Sequence, residues 1–472
     1  LVRFLSLASL TAAVFFLAPF LMHLVTPGFS EEDRAMTILL TRIMLLSPML
    51  LGISSIFSAV VQSFQRFWSY AAAPIFYNVG IIIGVMVFVP LWGVAGLAGG
   101  VILGAFLHLL IQIVTIWQLG FAPSLAQHMF QLNAGVGRVI KISFPRVLSV
   151  SLSNITLLVL IAVGSGLAAG SIAVLNLAYN LYFVPIGIFG VSYAIAIFPR
   201  MSRAYIERDS REFFHELYIG VRTVLFWTVP SAVLFIVLRA HIVRAALGAG
   251  AFSWEDTRLT AAALAALAVS VAAGALSSLL IKGFYALENT WKPLFINIGA
   301  SLVSIGGAIF WAQSLSHPSA FTGTILSLFR IADLPHPEVL GLAAGFSLGM
   351  LLNIIFLYWT LDRFAEKVFH ECYPFPWGAL FKIIMAALVG GAAAYFVRAS
   401  FSETLPLITF LQVLLQGTAS ALVGFGVYFG TLYLLKSEDV HSFFAALRRR
   451  LFRVKSLPRV WDGETQVHQH RV

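Results

Sequence analysis

The sequence predicts an all-α polytopic membrane protein: two parallel six-helix repeats, the first incomplete, followed by two further helices. Three observations carry that prediction. Sixty per cent of the 472 residues are hydrophobic and only 11% are charged, against about 25% charged in soluble domains. A soluble fold of this length could not hide so much apolar surface. Twelve apolar stretches are each long enough to cross a bilayer as a helix, which takes about 20 residues, and short motifs recur along the chain in the same order.

In chain order the stretches run roughly through 4–27, 37–63, 70–92, 94–118, 138–163, 171–198, 218–240, 258–284, 291–314, 337–361, 377–398 and 406–435. Each is too long for a membrane strand, and the ten-residue alternation of a barrel is missing. The first is too long for a signal peptide and lacks a small-residue cleavage site. Connections are short apart from polar segments near 119–137, 199–217, 315–336 and 362–376, so no separate soluble domain is expected. Cys372 is the single cysteine, which excludes an internal disulfide framework and a cysteine-based metal cluster.

Lys and Arg set the orientation, because cytoplasmic loops collect them. With Leu1 inside, the inner loops hold Arg66, Arg138, Lys141, Arg200, Arg203, Arg208, Arg211, Lys282, Lys292, Arg363 and Lys367. The tail adds Arg448, Arg449, Arg450, Arg453, Lys455 and Arg459. The outer side keeps about seven cations, among them Arg34, Arg239, Arg244, Arg330 and Arg398. Both termini are therefore expected in the cytoplasm. The net charge of +10 reflects this bias, and no nucleic-acid partner is expected.

The repeat rests on two matches. "PIFYNVG" (Pro74–Gly80) recurs as "PLFINIG" (Pro293–Gly299), 219 positions on, and "FSEED" (Phe29–Asp33) as "FSWED" (Phe252–Asp256), 223 on. They relate spans six apart, and an even number of crossings makes the repeats parallel. The expected organisation is an N-terminal lobe at 1–118 with four of six helices, a cytoplasmic connector at 119–137, a C-terminal lobe at 138–362 with all six, an appended helix pair at 377–435 and a basic cytoplasmic tail at 436–472. The repeat count, with a first residue that is Leu, leads to the expectation that two N-terminal helices are missing.

A charge inside a span is a functional hypothesis by default. Arg42, a turn or two inside the outer end of its span, is the best deep cation; snorkelling or a buried partner is the competing reading. Arg146 follows Pro145 near a cytoplasmic end and reads as a gate residue or an inner-leaflet anchor. Lys282, Glu288 and Lys292 surround "GFYALENTWKP" at a cytoplasmic turn, a candidate gate or a solvated positive-inside loop. Uncharged polar residues form a second set: Ser149, Ser151, Ser153, Asn154 and Thr156 crowd one span, and Asn176, Tyr179 and Asn180 share a face of the next. They either line a wet cavity or hydrogen-bond between helices. Pro185 removes a backbone hydrogen bond, and Gly187 and Gly190 permit close approach, which together suggest a hinge.

Enzyme patterns are lacking. "GSGLAAG" (Gly164–Gly170) has no strand before it, the histidines are scattered, and no nucleophile–base or acid pair can be read. No catalytic residue, metal ligand or cofactor is expected.

Several stretches carry a resemblance: "TRIM" at Thr41–Met44, "QRF" at Gln65–Phe67 with "AAPIFYN" following, "FVPIGIFGV…FPRMSR" from Phe183 to Arg203, "GAFSWEDT" near Gly250 and "GFYALENTWKP" from Gly283. In order and spacing, across essentially the whole chain, they resemble the MurJ (MviN) family, lipid II flippases of the multidrug/oligosaccharidyl-lipid/polysaccharide exporter superfamily. The resemblance implies two six-helix lobes about a cavity plus two helices flanking a lipid-facing groove. It implies a polyprenyl-pyrophosphate-linked sugar precursor as cargo, moved by alternating access across the bacterial cytoplasmic (inner) membrane. Membrane lipids and cell-envelope synthesis proteins are the other partners it suggests. The family's Y-A-D-R-L-x-E/Q-x-P-x-G helix has charged residues facing the cavity. Here those positions are Tyr179, Asn180 and Phe183, while Pro185, Gly187 and Gly190 match. The scaffold is kept and the charges are replaced. That leaves two further readings open: a non-transporting cell-envelope scaffold, or an exporter of another lipid-linked glycan or amphipathic compound.

Overall fold

The computed structural model describes residues 2–64, 66–120, 134–248, 250, 252–317, 319–371, 375–404 and 409–451, and among these residues only helices and their connections occur. The helices are α1 (Val2–Val25), α2 (Glu31–Met44), α3 (Leu46–Ser63), α4 (Phe67–Ile83), α5 (Val89–Trp92), α6 (Ala95–Gln118), α7 (Ala134–Ser165), α8 (Ser171–Pro185), α9 (Ser192–Glu207) and α10 (Ser210–Val237). They continue with α11 (Arg239–Leu247), α12 (Trp254–Ala268), α13 (Val271–Ala286), α14 (Trp291–Ser316), α15 (Ala320–Phe329), α16 (Val339–Phe369), α17 (Trp377–Thr404), α18 (Phe410–Leu434) and α19 (Glu438–Leu451). Short π-helical segments join α4 to α5 (Gly84–Phe88) and α8 to α9 (Ile186–Val191).

Among the described residues ten continuous helical runs are long and apolar enough to cross a membrane, and the pair α12 and α13, bent by 46°, makes an eleventh. The remaining expected span, 138–163, falls within the 32-residue α7, whose apolar part is Ser151–Ser165. The all-helical membrane class read from the sequence therefore stands.

The chain divides into two compact units, Leu1–Ala173 with Ala308–Ser316 and Val174–Gly307 with His317–Val472. In the first, α6 packs against α3 and α4. Its contact with α4 is made by bare backbone: a Cβ on Gly80 would lie 2.3 Å from the Gly104 Cα, and one on Gly104 would lie 2.3 Å from the Tyr77 carbonyl oxygen. Small residues let membrane helices approach this closely, where dispersion contacts replace the hydrophobic drive of water. The turn before α2 is tied to the end of α7 by the Gly28 N–H, which donates to Ser165 Oγ at 3.1 Å.

In the second unit α10 packs against α9, α13 and α17, while α16 packs on α12 and α13. Pro230 lacks an N–H and so leaves the Phe226 carbonyl of α10 without its helical donor. The Tyr428 hydroxyl, from α18, donates to that carbonyl at 2.7 Å. The bend between α12 and α13 is handled the same way: Ser347 Oγ donates to the Ala266 carbonyl at 2.8 Å and Ser270 Oγ to the Leu267 carbonyl at 2.9 Å. In a bilayer every freed carbonyl needs such a partner, because water is not there to supply one. The terminal α19 is tied to α10 by Arg222, whose guanidinium reaches Glu438 at 2.8 Å and Asp439 at 3.1 Å.

The repeated motifs acquire a local meaning. Ser30 caps α2 by accepting from the Asp33 N–H at 3.1 Å, and Ser253 caps α12 by accepting from the Asp256 N–H at 3.0 Å. Both copies of F-S-x-E-D are thus N-terminal caps that satisfy otherwise orphaned donors. The P-x-F-x-N-x-G copies sit in the second half of α4 and in the first turns of α14 and pack differently, since a Cβ on Gly299 meets no neighbour within 4 Å.

Candidate functional site

Arg42 sits on α2 beside a proline on α1. Pro19 has no N–H, so the Phe15 carbonyl one turn earlier lacks an intrahelical donor. Arg42 Nε donates to that carbonyl at 3.3 Å, and its guanidinium carbon lies 4.9 Å from the Phe15 ring centroid. The arginine restores a hydrogen bond that the proline removed.

Asn154 on α7 and Asn180 on α8 are exposed, and Asn176 and Tyr179 are half-buried. Asn154 and Asn180 each lie about 15 Å along their helix from the turn at 166–170, at 1.5 Å per residue. That depth is near the middle of a hydrocarbon core about 30 Å thick. Among the described residues none of the three amides has a hydrogen-bond partner. Interhelical hydrogen bonding within the described residues therefore does not occupy them. An amide transferred alone into hydrocarbon costs roughly 2–7 kcal/mol, so an amide at this depth is costly unless it meets water or another polar group.

Behind this face lies an aromatic wall. The Tyr179 ring centroid is 5.7 Å from that of Tyr182 and 5.6 Å, edge on, from that of Phe346. Tyr182 is only 1% exposed, and Ser270 Oγ at the α12–α13 bend lies 3.5 Å from its hydroxyl and 3.1 Å from Ser347 Oγ. Sequence reasoning did not single out Tyr182, Ser270 or Ser347. The only signal for Tyr182 was its place one turn after Tyr179, and the two serines are recognisable only once the bend is seen.

Pro185 is buried and ends α8; the following six residues are π-helical, and Ser192 Oγ donates to the Gly187 carbonyl at 3.0 Å. The expected interruption is thus a π-bulge, a feature frequent at functional positions. A Cβ on Gly190 would come 2.6 Å from the Ala275 Cα of α13, whereas one on Gly187 would meet only the Phe183 ring of its own helix, at 3.7 Å.

The gate candidates lie around the turn between α13 and α14. Lys282 Nζ is 5.4 Å from the Phe198 ring centroid and Lys292 Nζ is 3.3 Å from that of Phe364. Glu288 is exposed, holds a left-handed φ of 56° and makes no ion pair among the described residues. The two lysines lie on aromatic faces, where the ring quadrupole attracts a cation. Arg146 belongs to α7, but its side chain, like that of Ser149, lies outside the described residues.

The chain is similar to known proteins. A family model described as the lipid II flippase MurJ matches residues 1–416. A probable lipid II flippase MurJ of Rhizobium tropici is 25% identical over 445 residues, covering 92% of this chain and 77% of the relative. One of Thermotoga maritima is 25% identical over 441 residues, covering 92% and 80%. A solved structure of a lipid II flippase MurJ in an inward closed conformation superposes with a TM-score of 0.67 at 22% identity, covering 95% of this chain and 82% of the other. That likeness is one of fold.

Proposed function

The chain belongs to the lipid II flippase MurJ family, and on that footing we propose that it carries a polyprenyl-pyrophosphate-linked peptidoglycan precursor from the inner to the outer leaflet of the bacterial cytoplasmic membrane by alternating access. The observation that supports the site is the Asn180 amide, unpaired among the described residues and near mid-membrane depth, with Asn176 one turn nearer the boundary on the same face. Asn176 and Asn180, with the Tyr179 hydroxyl, offer donors and acceptors to the hydroxyls of a sugar headgroup. The π-bulge after Pro185, with Gly190 against α13, is the pivot about which the amide-bearing helix rocks. Lys282, Glu288 and Lys292 line the entry, where the lysines meet the pyrophosphate as it leaves the inner headgroup layer. A non-transporting scaffold, or an exporter of another lipid-linked glycan, gains nothing from the family match.

The test is genetic. A host whose own lipid II flippase is depleted receives this gene as its only replacement, with membrane insertion verified by immunoblot. Growth is the expected result. Lysis despite insertion would overturn the proposal.

A further inference from the structure

Three arginines assigned to the outer side converge with Arg258 on one cavity in the second unit. The cavity has a volume of about 730 Å³ and is lined by Arg239, Arg258, Arg330 and Arg398, with His241 among the other side chains. Its walls come from the end of α10, the start of α12, the end of α15, the end of α17 and the start of α18, and α11 closes it. These are the same ends of successive spans, so the cavity opens at one membrane boundary and not at mid-depth.

The charges in it are unbalanced. Arg258 is neutralised by Asp333, at 2.7 and 2.5 Å. Among the described residues Arg239, Arg330 and Arg398 have no carboxylate partner. Arg239 instead donates to the Phe329 carbonyl at 3.2 Å and Arg398 to the Val237 carbonyl at 3.4 Å. Burial pushes the Arg239 guanidinium down from its usual pKa, and its neighbours Arg330 and Arg398 push it further. Beside them His241, 5% exposed, keeps Nδ1 without a partner while Nε2 lies 3.0 Å from Gln416 Oε1.

Three like charges around one cavity repel unless an anion joins them, and planar guanidiniums match the paired oxygens of a phosphate or a carboxylate. We propose that this cavity is a binding site for the phosphodiester headgroup of an anionic membrane lipid, held by Arg239, Arg330 and Arg398. Two features select a lipid over a free phosphate. The cavity is far larger than one phosphate group, and Trp254, Leu328, Phe329 and Tyr395 give it apolar walls. It also lies at a boundary where headgroups are concentrated, and basic pockets between membrane helices bind such lipids elsewhere. The site differs from the mid-membrane amides proposed for transport and does not depend on them.

The experiment uses the full chain purified in detergent and probed by native mass spectrometry and thermal unfolding. The probes are phosphatidylglycerol, phosphatidylcholine and inorganic phosphate. Phosphatidylglycerol is expected to be retained and to raise the unfolding midpoint. The Arg239→Gln/Arg398→Gln double variant should weaken its binding on the order of tenfold or more, from the loss of two charge-assisted contacts. Arg330 is exposed, so Arg330→Gln leaves a folded protein in which binding should still fall. Arg203→Gln, at the other end of the spans, should leave it unchanged. Equal binding by wild type and both variants would overturn the site. Equal retention of phosphatidylcholine, or equal stabilisation by inorganic phosphate, would overturn the assignment of an anionic lipid.

Discussion

Asn180 and Arg42 are both polar residues inside apolar helices, yet the structure gives them opposite duties. Asn180 is exposed and unpaired, so Asn180→Leu removes no internal bond and should change stability by less than about 0.5 kcal/mol. Transport, read as the survival of flippase-depleted cells, should fall on the order of tenfold. Arg42→Leu should do the reverse in part, because it strands the Phe15 carbonyl and costs about 1–3 kcal/mol. A double-mutant cycle checks the cause: in a Pro19→Ala background the helix supplies its own donor, and Arg42→Leu should cost measurably less in chemical denaturation. His241 titrates. Burial lowers its pKa against the pull of Gln416, and Arg398 lowers it further. The unfolded chain thus takes up the proton first, and stability present above about pH 6.5 is lost as the pH falls below it. The unfolding midpoint should drop on going from about pH 7.5 to about pH 5.5, and His241→Gln should flatten part of that drop. The amides were legible as polar intruders in apolar runs. The duty of Arg42 was not, since it depends on a proline in another helix that only packing brings near.

At the scale of elements, prolines and bends recur with a partner for each freed carbonyl: Arg42 for Phe15, Tyr428 for Phe226, Ser347 for Ala266. The spans are legible in the sequence, but the donors, which come from distant positions, are not. Nor does the sequence tell a glycine that touches a neighbouring helix from one that does not. Gly104 and Gly306 separate the two cases. A Cβ on Gly104 would lie 2.3 Å from the Tyr77 carbonyl oxygen, whereas one on Gly306 meets nothing within 4 Å. Gly104→Ala should therefore destabilise by roughly 1–3 kcal/mol through overpacking. Gly306→Ala, in a helix interior, should be neutral or stabilising by about 0.5–1 kcal/mol. Denaturation of the two variants side by side measures the difference. Equal effects would mean that α4 and α6 are not in backbone contact.

For the whole molecule, sidedness rests on the distribution of cations. Cations find partners at both ends of the spans: Arg34 holds Glu31 at 2.6 Å, Arg258 holds Asp333 and Arg244 donates to the Phe252 carbonyl at 3.1 Å, while Arg200 holds Glu216 at 3.2 Å. Arg203, Arg208 and Arg211, assigned inside, are exposed on the surface connection at 199–217. Loop cations that face the cytoplasm need no partner, because the bias acts during insertion and not through the folded state. We therefore expect Glu207 to face the cytoplasm and Ser316 the outside, with the C-terminal α19 on the same side as Glu207. In a Cys372→Ser background, Ser316→Cys should react with a membrane-impermeant maleimide in intact cells. Glu207→Cys should react only after permeabilisation. Both positions are exposed, so a difference in labelling reports side and not burial. The reverse pattern would invert the orientation, and it would move the arginine-lined cavity to the cytoplasmic leaflet while leaving its geometry untouched.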